Sequence, residues 1–140
     1  MDGSEGTVSL ILFSGTDDKL SAAAVLTAGA AAMGRKVNVF LQYWALESFM
    51  NDQIHKDHGV TTEAGPEGAA VMRLAREQGG TQHWSEIFEQ AKAVGDVGIH
   101  ACALSMDMFG IKKDDLDPIV DDVQGVASFM LEATGPITFI

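Results

Sequence analysis

The sequence predicts a single three-layer α/β/α domain with a mostly parallel sheet of about five strands. Three observations predict it. The chain has 140 residues, the size of one domain and too short for two conventional cores. Short runs rich in β-branched and aromatic residues alternate with longer helical segments, as in βαβ units. The strand runs are apolar at most positions, which suits strands covered on both faces.

Residues 8–13 form the first strand, broken by Ser14-Gly15. An Ala-rich helix follows over 17–33. In it Ala22, Val25, Leu26, Gly29 and Met33 recur at helical spacing, and Gly34 supplies a stop. Asp17 and Asp18 fall in its first turn, where the helix dipole favours acids, and Ser14 to Asp17 has capping-box spacing. Residues 37–41 are the second strand, left through Gln42-Tyr43-Trp44. Residues 46–50 read as a helical turn or two. Residues 51–80 are an irregular excursion: 51–65 is polar without a period, and a helix spans 67–78 behind Pro66. A helix over 82–94 is marked by Trp84, Ile87, Phe88 and Ala91. The third strand covers 97–101 and exits at Cys102, and 103–109 is a short helix closed by Gly110. A charged connection over 112–122 holds Pro118, with a further strand expected at 119–123. The last helix carries Val126, Phe129, Met130 and Ala133 on one side, and residues 137–140 are the terminal strand.

Composition excludes several classes. Twenty acids against nine bases give a net charge of −11, with no basic stripe to displace counterions from nucleic acid. One cysteine rules out an internal disulfide framework or a Cys-rich metal knuckle. No apolar stretch reaches the length of a membrane span, and residues 1–6 offer acids and glycines where a signal peptide needs bases and an apolar run. The expectation is a flexible segment over 1–6 and one cytoplasmic domain over 7–140.

Ligands of an open parallel sheet gather outside the carboxyl ends of its strands. Ser14, Gly15 and Thr16, then Tyr43 and Trp44, then Cys102 are therefore expected on one rim, the first five as a substrate pocket. Cys102 stands at a strand-to-helix junction, where free backbone amides favour an anion, so its thiol is expected below the unperturbed ~8.5. His100 lies two residues earlier, on the same face of an extended strand, and would favour the thiolate if protonated. The other reading of the same residue is a buried structural cysteine. Ser14 to Lys19 lacks the spacing of a phosphate loop, and His55 and His58 lack a third firm metal ligand. No metal or cofactor is therefore expected. His83 is expected to face solvent, and Met106, Met108 and Met130 to fill the core.

The segment Ala101-Cys102-Ala103-Leu104-Ser105-Met106-Asp107-Met108-Phe109-Gly110-Ile111 resembles the DsrE/DsrF-like sulfur-transfer family. It is closest to a branch often labelled "peroxiredoxin family protein", whose cysteine segment has the form Ala-Cys-x-x-Ser-Met-Asp-x-x-Gly-Ile. Residues 10–41, Gly125-Val126-Ala127-Ser128-Phe129 and Thr138-Phe139-Ile140 extend the likeness, whereas 51–80 departs from it by being more acidic. The Pro-x-x-x-Thr-x-x-Cys setting of true peroxidatic cysteines is absent, so that label is misleading.

The resemblance implies a DsrE-like domain, flavodoxin-like in outline. It implies a sulfur carrier or sulfurtransferase holding sulfane sulfur or thiosulfate on Cys102, with TusA-like or rhodanese-like donors and acceptors. It also implies a homotrimer or homohexamer, and the Ala/Gly-rich face of the first helix admits close approach of the domain's own sheet or a neighbouring subunit. Ser105 matches the motif as a first-turn cap or a donor near sulfur, and Asp107 as a dipole partner with no acid/base role. The rival reading is a non-catalytic small-molecule binding or interaction module with an inert cysteine. A third is a thiol redox sensor.

Overall fold

The computed structural model describes residues 6–140. The flexible N-terminus expected for 1–6 thus lies outside the described residues, Gly6 apart. In chain order the elements are β1 (Val8–Leu12), α1 (Asp17–Ala32), β2 (Val37–Leu41), α2 (Tyr43–Ser48), α3 (Gly68–Gly79), α4 (Trp84–Val94), β3 (Val97–Cys102), α5 (Ala103–Phe109), β4 (Asp122–Gln124), α6 (Val126–Glu132) and β5 (Ile137–Phe139). The five strands form one all-parallel sheet in the order β4-β3-β2-β1-β5. Among the described residues no helix is long and apolar enough to cross a membrane.

The two sheet faces are unequal, and topology explains it. From β1 to β4 the chain steps across the sheet in one direction. The β4–α6–β5 connection returns across the whole sheet, and a right-handed crossover run backwards must lie on the other face. On the first face Leu10, Leu12, Val39, Leu41, Ile99 and Ala101 pack under α1 and α4 in the main core. On the second, Phe40, Cys102 and Phe129 form a separate small cluster with Ile11 and Ala133, and α6 contributes a single buried side chain to it.

Several expectations change in detail. The recurrent residues of α1 are not its core face: Leu20, Ala23, Ala24, Thr27 and Ala31 are buried, while Ala22, Val25, Leu26, Gly29 and Met33 face outward. Buried Thr27 is tolerated because its hydroxyl donates to the Ala23 carbonyl at 2.9 Å. The helix after β2 starts at Tyr43, whose left-handed φ of 48° turns the chain directly out of the strand. The fourth strand lies at Asp122–Gln124, because Ile119 is buried in the main core ahead of it. Of the α6 residues read as one face, Val126 and Met130 are exposed. Met106 fills core as expected; Met108 and Met130 do not.

The excursion over 51–80 is irregular up to a 3-10 turn at Thr62–Ala64, and α3 follows as read from the sequence. It is nonetheless fastened at its base. Asp17, expected as a dipole partner, is buried, and its carboxylate accepts from Trp84 Nε1 at 2.9 Å and from the His58 amide at 2.8 Å. The Asp18 carboxylate accepts from the Thr61 amide at 3.2 Å. Burial pushes the Asp18 carboxyl up, but hydrogen bonds from Thr16, Thr61 and Lys19 outweigh it and hold it below the usual carboxylate value. Thr16 is the N-cap of α1 without a side-chain cap bond, so no capping box forms. His83 does not face solvent freely: its Nδ1 accepts from the Ser85 amide at 3.2 Å and caps α4.

Candidate functional site

Cys102 is the last residue of β3 and the N-cap of α5, so it stands at the strand-to-helix junction expected for it. Its surroundings differ from the expectation. The residue is 1% exposed, walled by Phe40 and Phe129, with Ile11 and Ala133 beside them. The Phe40 and Phe129 rings stack with centroids 4.5 Å apart and planes 13° from parallel. The open thiol inferred from the sequence is therefore not what the fold presents: α6 lays Phe129 over the face on which the sulfur sits.

His100 and Cys102 alternate onto the same face as expected, and the polar partner of the imidazole is Asp122. Its Nδ1 lies 2.6 Å from Asp122 Oδ1, and a carboxylate can only accept, so the proton of that bond is on Nδ1. Its Nε2 leans toward Gly98, where an added Cβ would come within 2.7 Å, and it is buried without a hydrogen-bond partner. Ser105 is fully buried and accepts from the Tyr43 amide at 3.1 Å, fixing the start of α2 against α5. Through this bond it holds the strained Tyr43 turn.

Sequence reasoning missed Gln124. It pairs with Cys102 across β3 and β4, so its side chain shares the sulfur's face. Its amide nitrogen lies 3.5 Å from Glu132 Oε2 of α6, and its Oε1 is buried without a partner. No spacing rule links residues 102 and 124. Only the strand order brings them together.

The rim loops converge only in part. Ser14, Gly15, Thr16 and Trp44 line one cavity of about 330 Å³, together with Glu47, Ser48, His58 and Thr61. Tyr43 and Cys102 do not line it. Gly15 is required there by space: a Cβ would stand 2.4 Å from the Trp44 carbonyl oxygen and 2.7 Å from Ser48 Oγ. Tyr43 instead joins an aromatic group with Phe13 and Phe109 at centroid distances of 5.0 and 6.2 Å. Trp44 packs on Phe109 at 5.4 Å and remains half exposed. Four of the five residues read as a pocket thus share one cavity, and Tyr43 and Cys102 lie outside its lining.

Comparison with known proteins covers most of this architecture. The model of a family described as DsrE/DsrF/DrsH-like matches residues 4–74 and 62–136. The chain is 24% identical over 146 aligned positions to the uncharacterized protein YrkE of Bacillus subtilis (strain 168), with 89% of each covered. Its fold is similar to that of MTH1491 from Methanobacterium thermoautotrophicum, a protein described as of unknown function. The TM-score is 0.58 at 16% identity, with 96% of each chain covered.

Proposed function

The chain belongs to the DsrE/DsrF/DrsH-like family, and we propose that it is a cytoplasmic sulfur carrier of the DsrE type that accepts sulfane sulfur on Cys102 from a closed resting state. One observation carries the reading: the single cysteine sits at the end of β3 beneath one short helix that contributes a single buried residue. Loading requires α6 to move off the sulfur. The Cys102 thiolate then attacks the outer sulfur of a donor persulfide. A new S–S bond forms, the donor S–S bond breaks, and the donor thiolate leaves, so no external oxidant is needed. Transfer to an acceptor thiol reverses the same exchange, which is why no second cysteine is required in this chain. The partners of this reading are donor and acceptor proteins of the TusA-like or rhodanese-like kind. Cys102 is its acceptor, Ser105 and Gln124 position the junction, and His100 is held aside by Asp122.

Intact mass tests the reading. After incubation with polysulfide and removal of excess reagent, the native protein gains about 32 Da, the mass of one sulfur, and Cys102→Ser gains nothing. Equal uptake by Cys102→Ser, or no uptake by either, overturns it. The burial of Cys102 favours a second reading, a binding module with a structural cysteine that uses the Ser14–Trp44 cavity. Under it the native protein stays unmodified and only the denatured chain reacts.

A further inference from the structure

The cavity of about 330 Å³ beside α2 holds an aromatic face next to a free carboxylate. Trp44 and Glu47 stand three residues apart on α2, so their side chains are neighbours on its surface. The indole packs on the Phe109 ring at 5.4 Å, which fixes it, and Trp44 is still 51% exposed. Glu47 is the one carboxylate in the cavity wall, and none of the described residues pairs with it. Neither residue belongs to the cluster around Cys102.

We infer that this cavity binds an alkylguanidinium group, stacked on the Trp44 indole and forked onto the Glu47 carboxylate.

Hydrogen bonding favours a ligand that brings its own protons. The wall spends many of its donors internally. Ser48 Oγ donates to the Gly15 carbonyl at 2.8 Å, the Thr61 amide to the Asp18 carboxylate at 3.2 Å, and the His58 amide to Asp17 at 2.8 Å. His58 Nε2 lies 2.8 Å from the Gln53 carbonyl, which can only accept, so the ring proton is on Nε2 and Nδ1 is an acceptor. The Glu47 carboxylate, the Ser48 lone pairs and the His58 ring therefore offer acceptors.

Charge and shape narrow the class. The Gly15 and Thr16 amides would suit an anion in another setting. Here Asp17 and Asp18 follow directly and Glu47 lines the same cavity, so an anion meets three carboxylates. A bare metal ion lacks ligands, since among the described residues no three His, Cys, Asp or Glu side chains are placed to hold one. A guanidinium is planar, stacks on an aromatic face and presents paired donors to a carboxylate, which an ammonium does not. The volume is at the small end of ligand sites. A second hollow of about 280 Å³, with Met50 and Gln53 in its wall, shares Glu47, Ser48 and His58 and gives room for the alkyl substituent. The guanidinium is either that of a free small molecule or the side chain of an arginine in another protein.

Indole N–H signals in NMR titrations of the full chain test this site, because the protein has two tryptophans and Trp84 is fully buried. Ethylguanidinium shifts the Trp44 signal saturably with a Kd on the order of 1 mM, as befits so small a probe, and leaves Trp84 in place. The uncharged isostere ethylurea binds at least fivefold more weakly. Glu47→Gln raises Kd for ethylguanidinium at least fivefold, and Trp44→Leu, followed on the Gly15 amide, at least threefold. A blocked Gly-Arg-Gly peptide that binds tighter than ethylguanidinium supports the site with a protein arginine as its source; one that binds more weakly supports it with a free guanidine. The site overlaps no residue of the Cys102 cluster, so Cys102→Ser binds the probe normally and Glu47→Gln still takes up sulfur, and either proposal can fail alone. No saturable shift by about 20 mM, equal affinity for ethylurea, equal affinity in Glu47→Gln, or tighter binding of thiosulfate than of ethylguanidinium overturns the inference.

Discussion

If Cys102 works from a closed state, opening must be local, and Phe129 sets its cost. Phe129 is the one buried residue of α6 and stacks on Phe40. Its burial is worth about 1.5–3 kcal/mol, and the ring pair adds about 0.5–1.5 kcal/mol. Lifting α6 therefore costs about 2–4.5 kcal/mol, which slows thiol modification roughly 30- to 2,000-fold relative to an exposed cysteine. Exposure through global unfolding would cost about 5–15 kcal/mol instead. Phe129→Ala removes the local barrier, so native labelling of Cys102 by a thiol reagent accelerates by most of that factor. The change also destabilises the domain, so Phe88→Ala is the control. It is a comparable large-to-small change in the main core on the other sheet face, with a loss of about 3–5 kcal/mol. Local opening requires fast labelling in Phe129→Ala, little change in Phe88→Ala, and rates nearly independent of low urea. Equal acceleration by both variants would falsify local opening and leave a structural cysteine.

Three further outcomes follow from the polar contacts. Asp17→Ala leaves the indole N–H of Trp84 and the His58 amide without their acceptor, so urea unfolding followed by Trp fluorescence loses about 2–5 kcal/mol; a loss under about 0.5 kcal/mol contradicts the role given to Asp17. Burial holds His83 below its usual pKa, partly offset by Asp17. The unfolded chain then binds more protons at this site, so its contribution to stability rises with pH up to about 6.5 and is level above. The native protein should accordingly lose more stability between neutral pH and pH ~5.5 than His83→Gln does, and identical losses would remove His83 from the account. Gly15→Ala forces a methyl into the Trp44 carbonyl oxygen and Ser48 Oγ, costing about 1–3 kcal/mol; an unchanged urea midpoint would show that the α2 turn yields freely.

The alternation of strands and helices was legible because each carries its own period, and Gly34 and Gly110 close helices where expected. The inward face of α1 was not legible. A run of Ala, Val, Leu and Gly without a charge has periodicity but no phase, and side-chain size points to the wrong side. Ala23, Ala24 and Ala31 are inside because α4 comes close, with the backbone at Gly95 against Ala31. Cys102 could be placed at a strand exit from spacing, but its burial depends on which face the last crossover takes. The partners of His100 and Cys102 on β4, Asp122 and Gln124, are fixed by a three-residue edge strand. So short a strand has no pattern of its own to read.

One sequence signal did bear on the site. A parallel strand buried on both faces should be apolar throughout, yet Ser9, Asn38 and Gly98 lie side by side across β1, β2 and β3, with His100 two residues on. These positions all belong to the face of Cys102, and Ser9 Oγ and His100 Nε2 are buried there without partners. Such a face has less apolar surface to hold a cover, and among the described residues the helix that covers it is the seven-residue α6. The opposite face is apolar and carries the two longer helices α1 and α4. Local opening is cheapest where fewest apolar groups are buried. The polar alternation in β1, β2 and β3 therefore assigns the least stable layer of the domain to the side where the only thiol lies, and hydrogen exchange should reach the amides of α6 well before those of α1 and α4. Equal protection of the three helices would show that the domain opens only as a whole.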